Sequence, residues 1–133
     1  MLNCLEEVNK LKDSKELNFY QIIAAAAFLF FSKKKLDVWI LEVGLGGRLD
    51  PANYFDADIS VITKIALDHE NILGKGVENI GREKAGIFRT NQTVIFGEGF
   101  IPNSVLKIVK KLNVDLHKVC LLYTSDAADD MQC

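Results

Sequence analysis

Residues 41–50 read LEVGLGGRLD, an apolar run that ends in a carboxylate and passes at once into a glycine-rich turn. The apolar residues just before the turn are continuous and do not alternate with polar ones, so residues 37–43 are predicted to form a strand covered on both faces of a parallel sheet. In open parallel sheets ligands bind outside the carboxyl ends of the strands, where glycines allow a close backbone approach. The stretch therefore predicts an α/β fold with a ligand site at this turn.

The rest of the chain continues the alternation of helices and apolar strands. We expect an incomplete, doubly wound, mostly parallel sheet. The predicted helices are residues 17–32, 77–85 (with Gly86 as the C-cap) and 104–112, the predicted strands are 59–65, 93–96 and 114–119, and residues 44–55 and 68–76 are predicted loops or turns.

The composition is that of a folded protein without a nucleic-acid or membrane surface. The chain has 133 residues, 49% hydrophobic and 26% charged, and a formal net charge of -2, which suits one domain with a real core and no basic stripe. The apolar run at 22–31 is shorter than the roughly 20 residues that span a bilayer. Three scattered cysteines predict no disulfide framework, and no export signal is recognisable, so a cytoplasmic location is expected.

Glu42 and His69 are the first candidate site residues. Glu42 ends an apolar strand, where a buried carboxylate needs a cation or a hydrogen-bonding partner, and Arg48 is the plain alternative to a metal. His69 lies just beyond the second predicted strand, at the edge where Glu42 is expected to emerge. A histidine alone at such a position is more often a structural hydrogen-bonding group.

Two glycine patterns do not predict a nucleotide loop. Residues 44–49 begin like a dinucleotide fingerprint, but Leu49 stands where the last glycine is required. Residues 74–76 read GKG but lack the upstream glycine and the following Ser/Thr of a phosphate-binding loop. A dinucleotide-binding oxidoreductase domain therefore remains only an alternative.

Three segments together resemble the folylpolyglutamate synthase and dihydrofolate synthase family, ATP-dependent ligases related to the Mur ligases. They are LEVGLGGRLD at 41–50, SVITKIALDH at 60–69 and GREKAGI at 81–87. The resemblance runs from about residue 17 to about residue 96 and implies a fragment of the central ATP-binding domain. It also implies that the phosphate-loop strand and the C-terminal domain lie outside this sequence, and that the fragment alone is inactive.

By this resemblance Glu42 and His69 help to hold Mg²⁺, and Lys84 is a lysine carbamylated on its amine. Carbamylation needs a neutral amine, which burial encourages, and it turns a cation into an anion that can ligate a metal. A histidine ligand is atypical for Mg²⁺. The plain alternative for Lys84 is a surface lysine on a helix that pairs with a neighbour such as Glu83.

The resemblance also implies residues that border a pterin. The chain departs from the family's usual LDATN at Pro51 and Ala52, and a proline removes any backbone donor used there. An aromatic pair can stack on a flat heterocycle, although aromatic residues such as Phe19 and Tyr20 are more often core residues. The implied substrate-side residues are Phe19, Tyr20, Gln21, Leu49, Asp50 and Pro51.

The activity implied by the resemblance is ATP-dependent addition of L-glutamate to dihydropteroate or folates through an acyl phosphate, by a monomeric full-length enzyme. A Mur-type amino-acid ligase and a non-catalytic remnant also stay open as interpretations. Residues 1–119 are assigned to the partial central domain. Residues 120–133 change composition abruptly and resemble a translated adaptor, so we expect them to be foreign.

Overall fold

The computed structural model describes residues 1–11 and 17–119. The chain divides into two compact units, the first made of residues 1–45 and 50–54 and the second of residues 46–49 and 55–133. The prediction of a foreign segment at 120–133 lies outside the described residues. No helix of the described ranges is long and apolar enough to cross a membrane.

The first unit is built on two helices, α1 (Leu2–Leu11) and α2 (Phe19–Ser32), which pack against each other. Helix α2 is the predicted helix at 17–32. Its N-terminus is a capping box: the Asn18 side chain accepts from the backbone N–H of Gln21 at 2.9 Å, and the Asn18 N–H donates to the Gln21 side chain at 3.0 Å. Such reciprocal bonds satisfy two backbone donors that a helix start leaves open.

The predicted strand at 37–43 is wrong, because none of these residues pairs in the sheet. The segment packs on one side only: the Trp39 ring lies 5.5 Å from the Phe31 ring of α2. Val38 and Ile40, the residues before and after Trp39, are 71% and 90% exposed. The continuous apolar run therefore indicates a segment whose apolar side chains need to be buried. The described residues do not bury all of them and do not provide a strand that pairs with the segment.

The second unit is an α/β sheet, as predicted. Strands β1 (Ile59–Lys64), β2 (Thr93–Glu98) and β3 (Asp115–Lys118) are all parallel and lie in the order β1-β2-β3. Between β1 and β2 lie a short helix α3 (Glu70–Leu73) and the predicted helix α4 (Val77–Ala85), and between β2 and β3 lies α5 (Asn103–Leu112). Each of the three strands confirms a predicted one to within a few residues.

One face of this sheet carries the core. Its fully buried members come from the strands and from the connecting segments: Ile62, Ala85, Phe88, Val94, Phe96 and Val105. The predicted apolar face of α5 packs here through Val105, Ile108, Val109 and Leu112. The opposite face is an open apolar groove of about 430 Å³ lined by residues that include Val61, Ile95 and Val119. Helices cover one face of the sheet in this unit.

Helices α4 and α5 are joined by a carboxylate. The residue before α5, Pro102, provides no side-chain cap, and the Glu78 side chain of α4 accepts instead from the N–H groups of Asn103 at 3.0 Å and Ser104 at 2.6 Å. These backbone bonds hold the pKa of Glu78 below its usual value. An anion at a helix N-terminus satisfies open N–H donors and interacts favourably with the helix dipole.

Candidate functional site

The acidic end of the LEVGLGGRLD segment is a helix cap. Asp50 precedes a 3-10 helix, Pro51–Tyr54, and its Oδ1 accepts from the Ala52 N–H at 2.8 Å, while its carbonyl accepts from the Asn53 N–H at 2.9 Å. Pro51 is therefore the first helical residue, where a missing N–H costs nothing and the fixed φ is favourable. The departure from the family pattern at Pro51 is accommodated by the local backbone.

Tyr20 of α2 contacts this cap. Its hydroxyl donates to the Asp50 carboxylate, at 3.2 Å from Oδ1 and 3.4 Å from Oδ2. Partial burial and the nearby Asp50 charge raise the pKa of Tyr20 above its ordinary value, because both disfavour the phenolate. Sequence reasoning named both residues as substrate neighbours, and the structure joins them to each other.

An apolar groove of about 170 Å³ lies beside Tyr20 in the same unit. Glu42 and Ala52 also line it, and the rest of its wall is apolar side chains of α2 together with Ile40 and Leu41. Phe19 is 81% exposed at the start of α2. The side-chain amide oxygen of Gln21 already accepts a hydrogen bond from the Asn18 N–H in the capping box. Two of the predicted site residues, Tyr20 and Glu42, thus share one groove.

Glu42 itself is exposed, so its predicted burial is wrong. The exposure agrees with the loss of the predicted strand, because Val38 and Ile40 of the same segment are exposed as well. An exposed carboxylate needs no internal partner and is open to a cation from solution. Its role as a metal ligand stays a prediction.

His69 lies in the second unit, five residues beyond β1, in a left-handed backbone conformation with φ 52°. Its N–H donates to Asp68 Oδ1 at 2.8 Å, and its carbonyl accepts from the N–H groups of Ile72 and Leu73 at 2.9 Å each. The residue therefore begins α3 while its exposed ring remains 3.5 Å from Asp68 Oδ2. A non-glycine residue held at positive φ is uncommon and is a reason to consider function.

The glycine turn lies against the end of α4 in the second unit. The Arg48 N–H donates to the Glu83 carbonyl at 2.9 Å, and the Arg48 Nε lies 3.1 Å from both carboxylate oxygens of Glu83. A Cβ added to Gly47 would lie 2.9 Å from the Glu83 carbonyl oxygen, and one added to Gly86 would lie 2.4 Å from the Arg48 Cβ. Two glycines therefore allow the turn to cap the helix.

Lys84 stands on the last turn of α4, next to the residue that Arg48 binds. It is half-buried. The hydrogen bonds and ion pairs of the described residues do not include its ammonium group, so its pairing with Glu83 in the plain alternative is not formed; Glu83 binds Arg48. Its carbamylation stays a prediction.

The predicted residues therefore fall into two groups. Phe19, Tyr20, Gln21, Glu42, Asp50 and Pro51 belong to the first unit, and Leu49, His69 and Lys84 to the second. Leu49 is 79% exposed. Within residues 1–11 and 17–119, no three His, Cys, Asp or Glu side chains form a group that could hold a metal ion. A lysine carbamate is not among these residue types. The Arg48–Glu83 pair was missed, although both residues lie inside the three motifs.

The similarities to known proteins agree with the motifs. No family model matches the chain. The dihydrofolate synthase/folylpolyglutamate synthase of Buchnera aphidicola subsp. Schizaphis graminum is 46% identical over 108 residues, which are 81% of this chain and 26% of that protein. The structure of E. coli FolC in complex with DHPP and ADP matches with a TM-score of 0.82 at 41% identity, over 86% of this chain and 28% of that one.

A second similar structure is a bifunctional folylpolyglutamate synthase/dihydrofolate synthase with Mn, AMPPNP and L-glutamate bound, with a TM-score of 0.79 at 40% identity over 86% of this chain and 28% of that one. The chain thus spans about a quarter of the length of the relatives that it matches. Neither the Mur-type nor the oxidoreductase alternative is supported by these similarities. Over the stretch that aligns, the chain belongs to the dihydrofolate synthase/folylpolyglutamate synthase family.

Proposed function

We propose that the chain is the catalytic-domain portion of an ATP-dependent ligase that adds L-glutamate to dihydropteroate or to folates. One observation carries the proposal: 41% identity and a TM-score of 0.82 to FolC with DHPP and ADP bound, over a stretch that includes all three motifs. In the proposed reaction a carboxylate oxygen of the folate-type substrate attacks the γ-phosphorus of ATP and releases ADP. The glutamate amine then attacks the acyl phosphate, phosphate leaves, and the amine loses a proton.

Glu42, His69 and a carbamylated Lys84 are the proposed metal-side residues. Their donor set would be a carboxylate, an imidazole nitrogen and a carbamate, which suits Mn²⁺ or Mg²⁺ if oxygens supply most of the ligands. The accessible Glu42 and His69 support the assignment, and so does the half-buried Lys84, which is unpaired among the described residues. When bound, the divalent ion would neutralise charge on the phosphoryl group during transfer.

The apolar groove beside Tyr20 is the proposed place for the substrate's ring system. Its volume of about 170 Å³ is below the roughly 300 Å³ at which sites for drug-sized ligands begin, so it would take one flat ring system and leave the rest of a folate outside. Phe19, exposed at the start of α2, provides a ring that could stack on a heterocycle. Leu49, Asp50 and Pro51 are proposed to border the same ligand.

The test is a chimera in which residues 1–119 replace the aligned segment of E. coli FolC. We expect ATP-dependent addition of radiolabelled glutamate to dihydropteroate. Glu42→Gln in the chimera should lower kcat about 100-fold, as expected for loss of one group that stabilises the transition state, and should raise the Mn²⁺ concentration needed for half-maximal rate. The matched control is Glu6→Gln, an exposed glutamate on α1, which should leave both values unchanged. A folded chimera whose turnover is indifferent to Glu42→Gln contradicts the proposal.

The carbamate on Lys84 has a separate test. Mass spectrometry of the chimera after trapping the carbamate by O-alkylation should find the modification at Lys84. Lys84→Ala should lose activity that short-chain carboxylates partly restore, because a free carboxylate can take the place of a carbamate. Full activity of Lys84→Ala without any added acid contradicts the role.

A further inference from the structure

The least exposed charged side chain of the first unit, among its described residues, is the carboxylate of Asp50, which is 9% exposed. Four groups donate to it. The N–H of Gly44 lies 3.0 Å and that of Leu45 lies 3.2 Å from Oδ2, while the N–H of Ala52 lies 2.8 Å and the hydroxyl of Tyr20 lies 3.2 Å from Oδ1. None of the four donors carries a formal charge, so hydrogen bonds alone offset the loss of hydration.

The number of donors matches the capacity of the acceptor. An ionised carboxylate offers about four lone-pair sites on its two oxygens. Three backbone N–H groups and one phenolic hydroxyl therefore use all the acceptor sites of the Asp50 carboxylate. Each oxygen of the carboxylate therefore accepts from two donors of the protein, so the position of the whole carboxylate is fixed.

The donors come from three separate places in the sequence. Tyr20 is in the first turn of α2, Gly44 and Leu45 start the glycine turn, and Ala52 is in the 3-10 helix. The contact with Tyr20 is close: a Cβ on Gly44 would lie 2.8 Å from the Tyr20 hydroxyl oxygen, and the Gly44 N–H also donates to that oxygen at 3.2 Å. Glycine at 44 is therefore required for the tyrosine to reach the carboxylate.

We infer that Asp50 is a positioning residue, whose fully hydrogen-bonded carboxylate fixes the backbone two residues beyond Glu42 and holds the Tyr20 ring beside the groove. The inference rests on the proposed function for what is positioned, namely a metal-side carboxylate and a ring-binding groove. It adds to the proposed place of Asp50 beside the ligand an action through Tyr20, Gly44 and Leu45. Glu42 and Tyr20 line the same groove, so the Asp50 carboxylate helps to position both of them.

The test uses the full 133-residue chain without any ligand. Asp50→Asn keeps one acceptor oxygen and replaces the other with an NH₂ donor. We expect either the Ala52 amide, or the Gly44 and Leu45 amides together, to exchange with solvent about tenfold faster, as for loss of one charge-assisted hydrogen bond. Asp37→Asn, at an exposed aspartate of the same unit, is the matched control and should change none of these rates.

A spectroscopic readout separates this role from general stabilisation. Ultraviolet titration of tyrosinate should show that Asp50→Asn moves the Tyr20 pKa back toward its ordinary value, because the Asp50 charge and hydrogen bond that raise it are removed. Tyr20→Phe identifies the tyrosine that titrates and remains informative if Asp50→Asn does not fold: it should speed exchange of Gly44 and leave Ala52 protected.

Unchanged exchange at Gly44, Leu45 and Ala52, together with an unchanged Tyr20 titration in Asp50→Asn, would overturn the inference. So would unchanged Gly44 exchange in Tyr20→Phe. Neither measurement needs substrate, ATP or metal. An inactive chimera would therefore refute the proposed ligase activity while the anchoring by Asp50 still held, and the two failures are distinguishable.

Discussion

The close approach of the glycine turn to helix α4 gives a quantitative prediction for Gly47→Ala. Gly47 has φ +152°, and a Cβ there would lie 2.9 Å from the Glu83 carbonyl oxygen and 3.0 Å from that of Lys84. A non-glycine residue in such a backbone region costs about 1–3 kcal/mol. To relieve the contacts the turn must withdraw from the helix, which weakens the 2.9 Å bond from the Arg48 N–H to the Glu83 carbonyl, a loss of about 1 kcal/mol. We expect a total of about 3 kcal/mol.

Gly76→Ala is the matched control, because Gly76 has φ +83° but nothing within 4 Å of an added Cβ. It isolates the backbone part, about 1–3 kcal/mol for a non-glycine residue in a backbone region that favours glycine. The entropy that alanine removes from the unfolded chain is the same in both variants and cancels in their difference. Urea unfolding of the chain followed by circular dichroism gives both free energies of unfolding. If Gly47→Ala is no less stable than Gly76→Ala, the turn does not cap the helix in this way.

Three further predictions concern α4, α5 and the sheet core. Glu78→Gln should lower stability at neutral pH but not at low pH. Because the folded pKa of Glu78 is lowered, its contribution is present above the ordinary pKa of a glutamate and is lost as pH falls through the folded value. Thermal melts of both proteins across the acid range should show their melting temperatures converging as the pH falls. Gly81→Ala should lower the free energy of unfolding by about 1–3 kcal/mol through overpacking, since its Cβ would lie 2.9 Å from Ser104 Oγ and 3.1 Å from Val105 Cγ2. In the double variant with Ser104→Ala, the loss of stability should be smaller than the sum of the two single losses. Strict additivity in urea unfolding would contradict the contact. Phe96→Ala should cost about 3–5 kcal/mol because Phe96 is fully buried in the sheet core, whereas truncation of the exposed Phe100 should leave the urea midpoint nearly unchanged.

Local signals in the sequence predicted the second unit well. Branched residues at 59–64 and 93–96, a helix-spaced apolar face on α5 and a glycine after α4 each act over a few residues, and the structure has each of them. The C-cap at Gly86 was right for a different reason from the usual one. Its φ is -64°, so glycine is needed for the close approach of Arg48 and not for a left-handed turn.

The strand at 37–43 could not be judged from the same signals. Continuous apolar residues indicate that both faces of a segment need to be buried. A strand, however, exists only where another strand pairs with it. That partner is a property of residues distant in sequence. The burial of Glu42 depended on the same assumption, which is why both expectations failed together while the neighbouring turn was identified correctly.

For the site residues, too, a sequence motif identifies which residues matter, and only the structure shows which contacts they make. A motif marked Asp50 as important but could not say whether its carboxylate was open or filled, since three of its four donors are backbone groups that have no signature in the sequence. It likewise marked Arg48 and Glu83 without joining them. Asp50 thus binds backbone N–H groups and Arg48 binds Glu83 of another motif. The side chains of Glu42, His69 and Phe19, by contrast, remain exposed. We therefore expect the proposed chemistry to use side chains whose groups remain accessible. The charged residues of the turn, Arg48 and Asp50, instead fix the local backbone through their hydrogen bonds, which is the support that a precise site requires.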